Sequence, residues 1–252
     1  MFTLGTEARD EYYAIELARA AHRLVTEVRP VEAGQQVLIT ADTASDARVV
    51  QAAAGAVYAV GGVPTVVWYP PLPEPMQAPP TPVSNAVLGT HVWFDFAVAY
   101  QLYSPAYWAA LENGCIYVCL TGMDVDMMVR TIGRVHYAPL QEMATCLYEM
   151  SQAAETVRVT SPAGTDVTMC VDKAGDPFWE PPPAGGGFAQ MLGGQSGYVM
   201  HRESFRGMLV FDGTLWPPAS LGLLRAPVRL GFEGGYARRI DGGNEASIFA
   251  RW

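Results

Sequence analysis

Residues 35–42 read "QQVLITAD", a near-continuous apolar run that ends on a carboxylate. A strand of this composition suits a position covered on both faces, as in parallel sheets flanked by helices. The next residues fit that setting. Thr43 or Ser45 is expected to cap a helix, "DARVVQAAAGAVYAV" (46–60) to form it, and Gly61-Gly62 to end it. "PTVVWYP" (64–70) then starts a second strand. Strand, helix and strand in this order imply a right-handed β-α-β crossover.

The same alternation extends in both directions. Upstream, "EYYAIELARAAHRLVTEV" (11–28) puts Ile15, Leu17, Ala18, Ala21, Leu24 and Val25 on one helical stripe. Downstream, a proline-rich loop (70–82) leads to a short helix over 83–88 and a third strand, "HVWFDFAVAY" (91–100). Ser104-Pro105 opens another helix, Asn113-Gly114 closes it, and "CIYVCLTG" (115–122) is a fourth strand. Asp124 and Asp126 cap and charge a helix N-terminus, and "PLQEMATCLYEMSQAA" (139–154) is an amphipathic helix. The expected architecture is α/β with a doubly wound, mainly parallel sheet. The first strand-to-helix loop, "TADTAS" (40–45), has no glycine, which argues against a dinucleotide site or a P-loop.

The texture changes near residue 156, giving expected domains of 1–156 and 157–252. "VRVTSPAGTDVTMCVD" (157–172) reads as two strands joined by a Pro-Ala-Gly turn. "YVMHRESF" (198–205), "RGMLVFDG" (206–213), "PVRLGFEGG" (227–235) and "YARRIDGG" (236–243) read as further short strands, so this part is mostly antiparallel β. "DGGNEASIFARW" (241–252) starts a helix capped by Asn244 and stops after barely two turns, the mark of a chain expected to continue past Trp252.

Composition narrows the function. A net charge of -9, with fifteen scattered Arg and one Lys, does not suit a nucleic-acid backbone. No leader-like start is visible, and the longest apolar stretch (55–68) is broken by Gly61, Gly62 and Pro64, so no membrane span and a cytoplasmic location are expected. Cys115, Cys119, Cys146 and Cys170 lack zinc-site spacing and read as small buried hydrophobes. No G-x-S-x-G elbow exists to complete a hydrolase triad with His91 and Asp95. His201 and Glu203, two apart on an expected strand, share a face on which an acid-base pair or a metal would fit, and Asp212 lies across a turn. An exposed polar face is the plainer reading of the same residues. Phe178, Trp179 and Phe188 punctuate a long Pro/Gly loop, read equally as a lid for a planar ring or as a surface or dimer contact.

The order of "VRVTSPAGTDVTMCVD", "GGQ" (193–195), "GMLVFDG" (207–213) and "LGFEGGYARRIDGG" (230–243) resembles the aminopeptidase T type of metallo-aminopeptidases. It is closer to their relatives, the 2,5-dihydroxypyridine 5,6-dioxygenases. "GQQVLIT" (34–40) and "GMDVDMMVRTIGRV" (122–135) are similar to the N-terminal domain of that superfamily. The resemblance implies an extradiol-type, Fe(II)-dependent enzyme that cleaves a small hydroxylated aromatic with O2. It implies a metal held by two His and one Asp downstream of Trp252, Gln195 near the metal or substrate, and a substrate contact for Asp212; His201 joins them as a substrate-binding candidate from its place on the expected strand. The aminopeptidases carry Glu where this chain has Gln195, and a neutral amide is a poor ligand for a di-metal pair of Zn or Co. The peptidase is therefore the second reading, and a non-catalytic member of the fold the third. A homo-oligomer is also expected.

Overall fold

The computed structural model describes residues 13–174, 187–190, 192, 196–216, 218 and 220–252. In chain order the elements are α1 (Ala14–Arg23), β1 (Gln36–Asp42), α2 (Ala47–Ala59), β2 (Val63–Tyr69), α3 (Thr81–Ala86), β3 (Val92–Asp95), α4 (Pro105–Glu112), β4 (Ile116–Cys119), α5 (Val125–Met128) and α6 (Tyr137–Ala153). There follow β5 (Thr156–Thr160), β6 (Asp166–Cys170), β7 (Phe188–Gln190), β8 (Arg206–Phe211), β9 (Thr214–Leu215), β10 (Gly222–Leu223), β11 (Val228–Glu233), β12 (Tyr236–Asp241) and α7 (Asn244–Phe249). Two compact units emerge: Met1–Met143 with Pro181–Gln195, and Ala144–Glu180 with Ser196–Trp252. No helix among the described residues is long and apolar enough to cross a membrane.

The first unit is the doubly wound α/β sheet, in the order β2-β1-β3-β4-β7 with parallel pairing throughout. The side-chain alternation of β1 divides its core. Val37, Ile39 and Ala41 pack with Ala20, Leu24, Val49 and Val57 of the α1/α2 side. Leu38 packs instead with Trp93, Tyr107 and Tyr117 on the opposite side. A strand buried on both faces can tolerate a polar side chain only where it finds partners. Two helices end in a wider turn: the amide of Arg29 donates to Leu24 O at 2.8 Å, and that of Arg134 to Val129 O at 2.9 Å.

The second unit is an antiparallel sheet in the order β12-β11-β8-β6-β5, with a β9/β10 ribbon. Val228 and Leu230 pack beneath Ala246 of α7, with Leu209, Phe211, Ile240 and Phe249 around them. β8 passes close to β6 at Gly207, which adopts φ +116°; a Cβ there would lie 2.2 Å from Asp166 O.

Several local expectations are corrected. Asp46, not Thr43 or Ser45, caps α2 by accepting from the Arg48 amide; Ser45 Oγ is engaged by Asp42 and Phe96 O. Gly243 occupies the cap position of α7, with Asn244 inside the helix. The third strand stops at Asp95 because the residues after it turn back to bond its carboxylate. "YVMHRESF" is not a strand. Met200 makes one bridge to Val171, and Arg202–Ser204 coil into a 3-10 turn, so His201 and Glu203 do not share a strand face. β7 returns to the first sheet from well beyond the texture change at 156; three residues in a Gly/Pro-rich stretch are too few for a periodic signal.

Candidate functional site

In the first unit β1 leads outward to β2 on one side, and β3 and β4 continue on the other. Ligands of open α/β sheets bind outside the carboxyl ends of the strands at such a reversal. Here the two flanking strands end in Asp42 and Asp95, both fully buried. Asp95 Oδ1 accepts from Thr40 Oγ1 at 2.8 Å and the Ala97 amide at 3.3 Å; Oδ2 accepts from Tyr117 Oη at 2.7 Å and the Gln101 amide at 2.9 Å. Thr40 Oγ1 in turn accepts from the Trp93 indole at 2.7 Å. Burial pushes the Asp95 carboxyl up to about 6 against the pull of these donors. It also drives the Tyr117 phenol well above its ordinary value, with the Asp95 charge adding to the effect.

Asp42 performs a parallel task. Its Oδ1 accepts from the Ala44 amide at 2.9 Å and Ser45 Oγ at 3.0 Å, and its Oδ2 from the Val98 amide at 2.7 Å. Together the two carboxylates hold the loop 96–104 from below. The Met76 amide ties the preceding loop to Tyr100 O at 3.0 Å. Met76 and Tyr103, both non-glycine, adopt φ +65° and +67°. Such conformations persist only where the surroundings enforce them. Exposed Tyr103 and Trp108 cluster with buried Tyr107, whose ring centroids lie 5.8 and 4.8 Å from theirs.

His91 and Asp95, which the sequence left without a nucleophile, do not meet. His91 lies just before β3 and Asp95 at its far end, four residues and about 13 Å apart along extended chain. His91 Nδ1 accepts from the Gln36 amide at 3.0 Å. In the second unit the exposed His201 ring places Nδ1 3.7 Å from Asp172 Oδ2, while its amide donates to Cys170 O at 3.0 Å. Asp212 lies in the exposed turn after β8, and no described contact joins it to His201. Gln195, Phe178 and Trp179 lie outside the described residues. Phe188 belongs to β7, where the Arg29 guanidinium stands 5.7 Å from its ring centroid. A concavity of about 560 Å³ on the antiparallel sheet is walled by Arg206, Arg238, Arg239 and Phe232 above Gly207 and Gly231.

Non-haem iron of the facial type needs two His and one carboxylate converging on one point. Among the described residues no group of three His, Cys, Asp or Glu converges in this way. These residues therefore do not fit an iron centre by themselves.

Fold and comparison together define the class: a mixed α/β enzyme, a dioxygenase, with a parallel sheet and an antiparallel sheet. The family model of NicX, 2,5-dihydroxypyridine 5,6-dioxygenase, matches residues 18–252, and the chain belongs to this family. No curated protein matches. Among solved structures, the 2,5-dihydroxypyridine dioxygenase from Pseudomonas putida KT2440 superposes with a TM-score of 0.71 at 19% identity, covering 94% of this chain and 71% of that one. Wild-type AmpT from Thermus thermophilus gives 0.65 at 15% identity, covering 95% and 74%. At these identities the two structures speak for the fold.

Proposed function

We propose that this protein cleaves the ring of a hydroxylated pyridine, or a similar small aromatic, with O2 and Fe(II). The carrying observation is the family match across residues 18–252. Iron is the cofactor of this reading because it can hold both an aromatic diol-like substrate and O2 at open positions. Its ligands are not supplied by the described residues. Gln195, His201 and Asp212 are assigned to substrate contact.

The test is oxygen consumption by the purified protein with 2,5-dihydroxypyridine and Fe(II). Uptake that a chelator abolishes is the expected result. Uptake that is absent with iron present would overturn the reading, and chromophore release from an aminoacyl-anilide with Zn or Co would favour the hydrolase in its place. Alanine at His201 or Asp212 is expected to raise KM several-fold with kcat little changed. An unchanged KM removes that residue from the substrate site.

A further inference from the structure

We propose that the free edge of β2 is an interface with a second copy of this chain, in which the two β2 strands pair antiparallel about a two-fold axis at Val67. β2 ends the first sheet, and among the described residues only β1 pairs with it. The Val63 amide donates to Gln35 O at 2.9 Å, and Tyr69 O accepts from the Thr43 amide at 3.1 Å, so the odd-numbered residues of β2 bond β1. Residues 64, 66, 68 and 70 therefore turn their backbone groups away from the sheet. Pro64 and Pro70 have no amide proton to offer there. The edge is left with two donors, on Val66 and Trp68.

That spacing is self-complementary. In an antiparallel pair, residues directly opposite exchange both N–H···O bonds at every second position. Val66 opposite the partner's Trp68, and Trp68 opposite the partner's Val66, use all four donors of the two edges. One step further out, Pro64 meets the partner's Pro70, where neither chain has a proton to place. A copy supplies this two-donor window by symmetry alone.

Side chains and charge favour the same occupant. The register with β1 puts Val66 and Trp68 beside Ile39 and Ala41, on the face that α2 covers, yet they stay 38% and 41% exposed. Across the axis each joins an aromatic–β-branched cross-strand pair, which is a favourable combination. Residues 49–73 hold no charged side chain, although the chain as a whole carries -9. Net charge of one sign holds copies apart, and strand edges that stay free are commonly guarded by charge. This edge has none, so two copies meet here with least repulsion. The same axis sets the two α2 helices side by side, with Tyr58 on their last turns 76% exposed. That extends the contact toward the roughly 1,000 Å² that a specific interface buries.

The experiment is sedimentation equilibrium of the purified protein at micromolar concentrations, where a dimer or an assembly of dimers is expected. Val66→Glu with Trp68→Glu sets carboxylates opposite each other in both pairs and is expected to weaken self-association at least about 100-fold. Val66→Lys with Trp68→Glu sets opposite charges across the same pairs and is expected to keep the dimer. A monomeric wild type would overturn the proposal, as would an assembly that the double-Glu variant leaves intact. Loss of the dimer in both double variants would overturn this register. Val67→Cys gives a readout that depends on neither: at the axis the two thiols come within disulfide reach, and mild oxidation should link the copies covalently. A Val67→Cys protein that links no better than the wild type, whose own Cys146 is exposed, rejects the axis at Val67.

Discussion

Asp95 is the one charged residue in the apolar run from Val92 to Ala99, and it takes four donors from β1, β4 and its own loop. Asparagine at this position can accept on one side only and brings two protons to where donors already point. Asp95→Asn is expected to destabilise the protein by about 2–4 kcal/mol in urea unfolding at pH 7. The pH dependence has a definite sign. A carboxyl raised to about 6 in the folded state binds its proton more tightly there than in the unfolded chain. Its favourable contribution is therefore complete at pH below about 4 and is lost as pH rises to about 6, by about 2–3 kcal/mol. Urea midpoints from pH 4 to 7 should fall more steeply for the wild type than for Asp95→Asn. Parallel curves would show that the carboxyl ionises as it does in water. The sequence hinted at this residue, since a lone Asp inside an apolar strand needs partners. It did not reveal which ones: Thr40, Tyr117 and the Gln101 amide are brought to Asp95 by the pairing of neighbouring strands and by a returning loop.

At the scale of elements, legibility followed length and periodicity. β1, α2 and β2 could be read because apolar runs and paired glycines mark them, and the β5/β6 hairpin because its turn residues do. The 3-10 turn at Arg202–Ser204 could not, since its alternating pattern mimics a strand while Ser204 Oγ bonds both His201 O and the Cys170 amide. That bonding moves His201 off the strand face its sequence suggested. One element-scale contact should be unforgiving. At Gly207 any Cβ meets the Asp166 carbonyl and the φ disfavours it independently. Gly207→Ala is expected to lower stability by at least about 2 kcal/mol by separating β6 from β8. Circular dichroism melts would show this, and a melt equal to wild type would mean that the two strands can part without loss.

For the whole molecule, the fold class and family were legible because the order of motifs spans nearly the full chain, and the family match covers residues 18–252. The residues proposed for substrate contact had no such support. Gln195 was singled out by likeness alone, and a ligand set assembled across a fold leaves no spacing in a single sequence. The discontinuity of the first unit carries a further consequence, for how the molecule is made. β7, at Phe188–Gln190, pairs with β4, yet it is synthesised after the β5/β6 hairpin of the other unit. During translation the nascent sheet must wait with β4 as a bare edge, and an unpaired strand edge invites other chains. A fragment ending at residue 174, which bares the edges of both β4 and β6, should therefore partition into the insoluble fraction of an expression culture, while one extended through residue 192, which bares β6 alone, should be recovered in the supernatant in larger share. Equal recovery of both would mean that β4 is guarded by other means while the ribosome catches up.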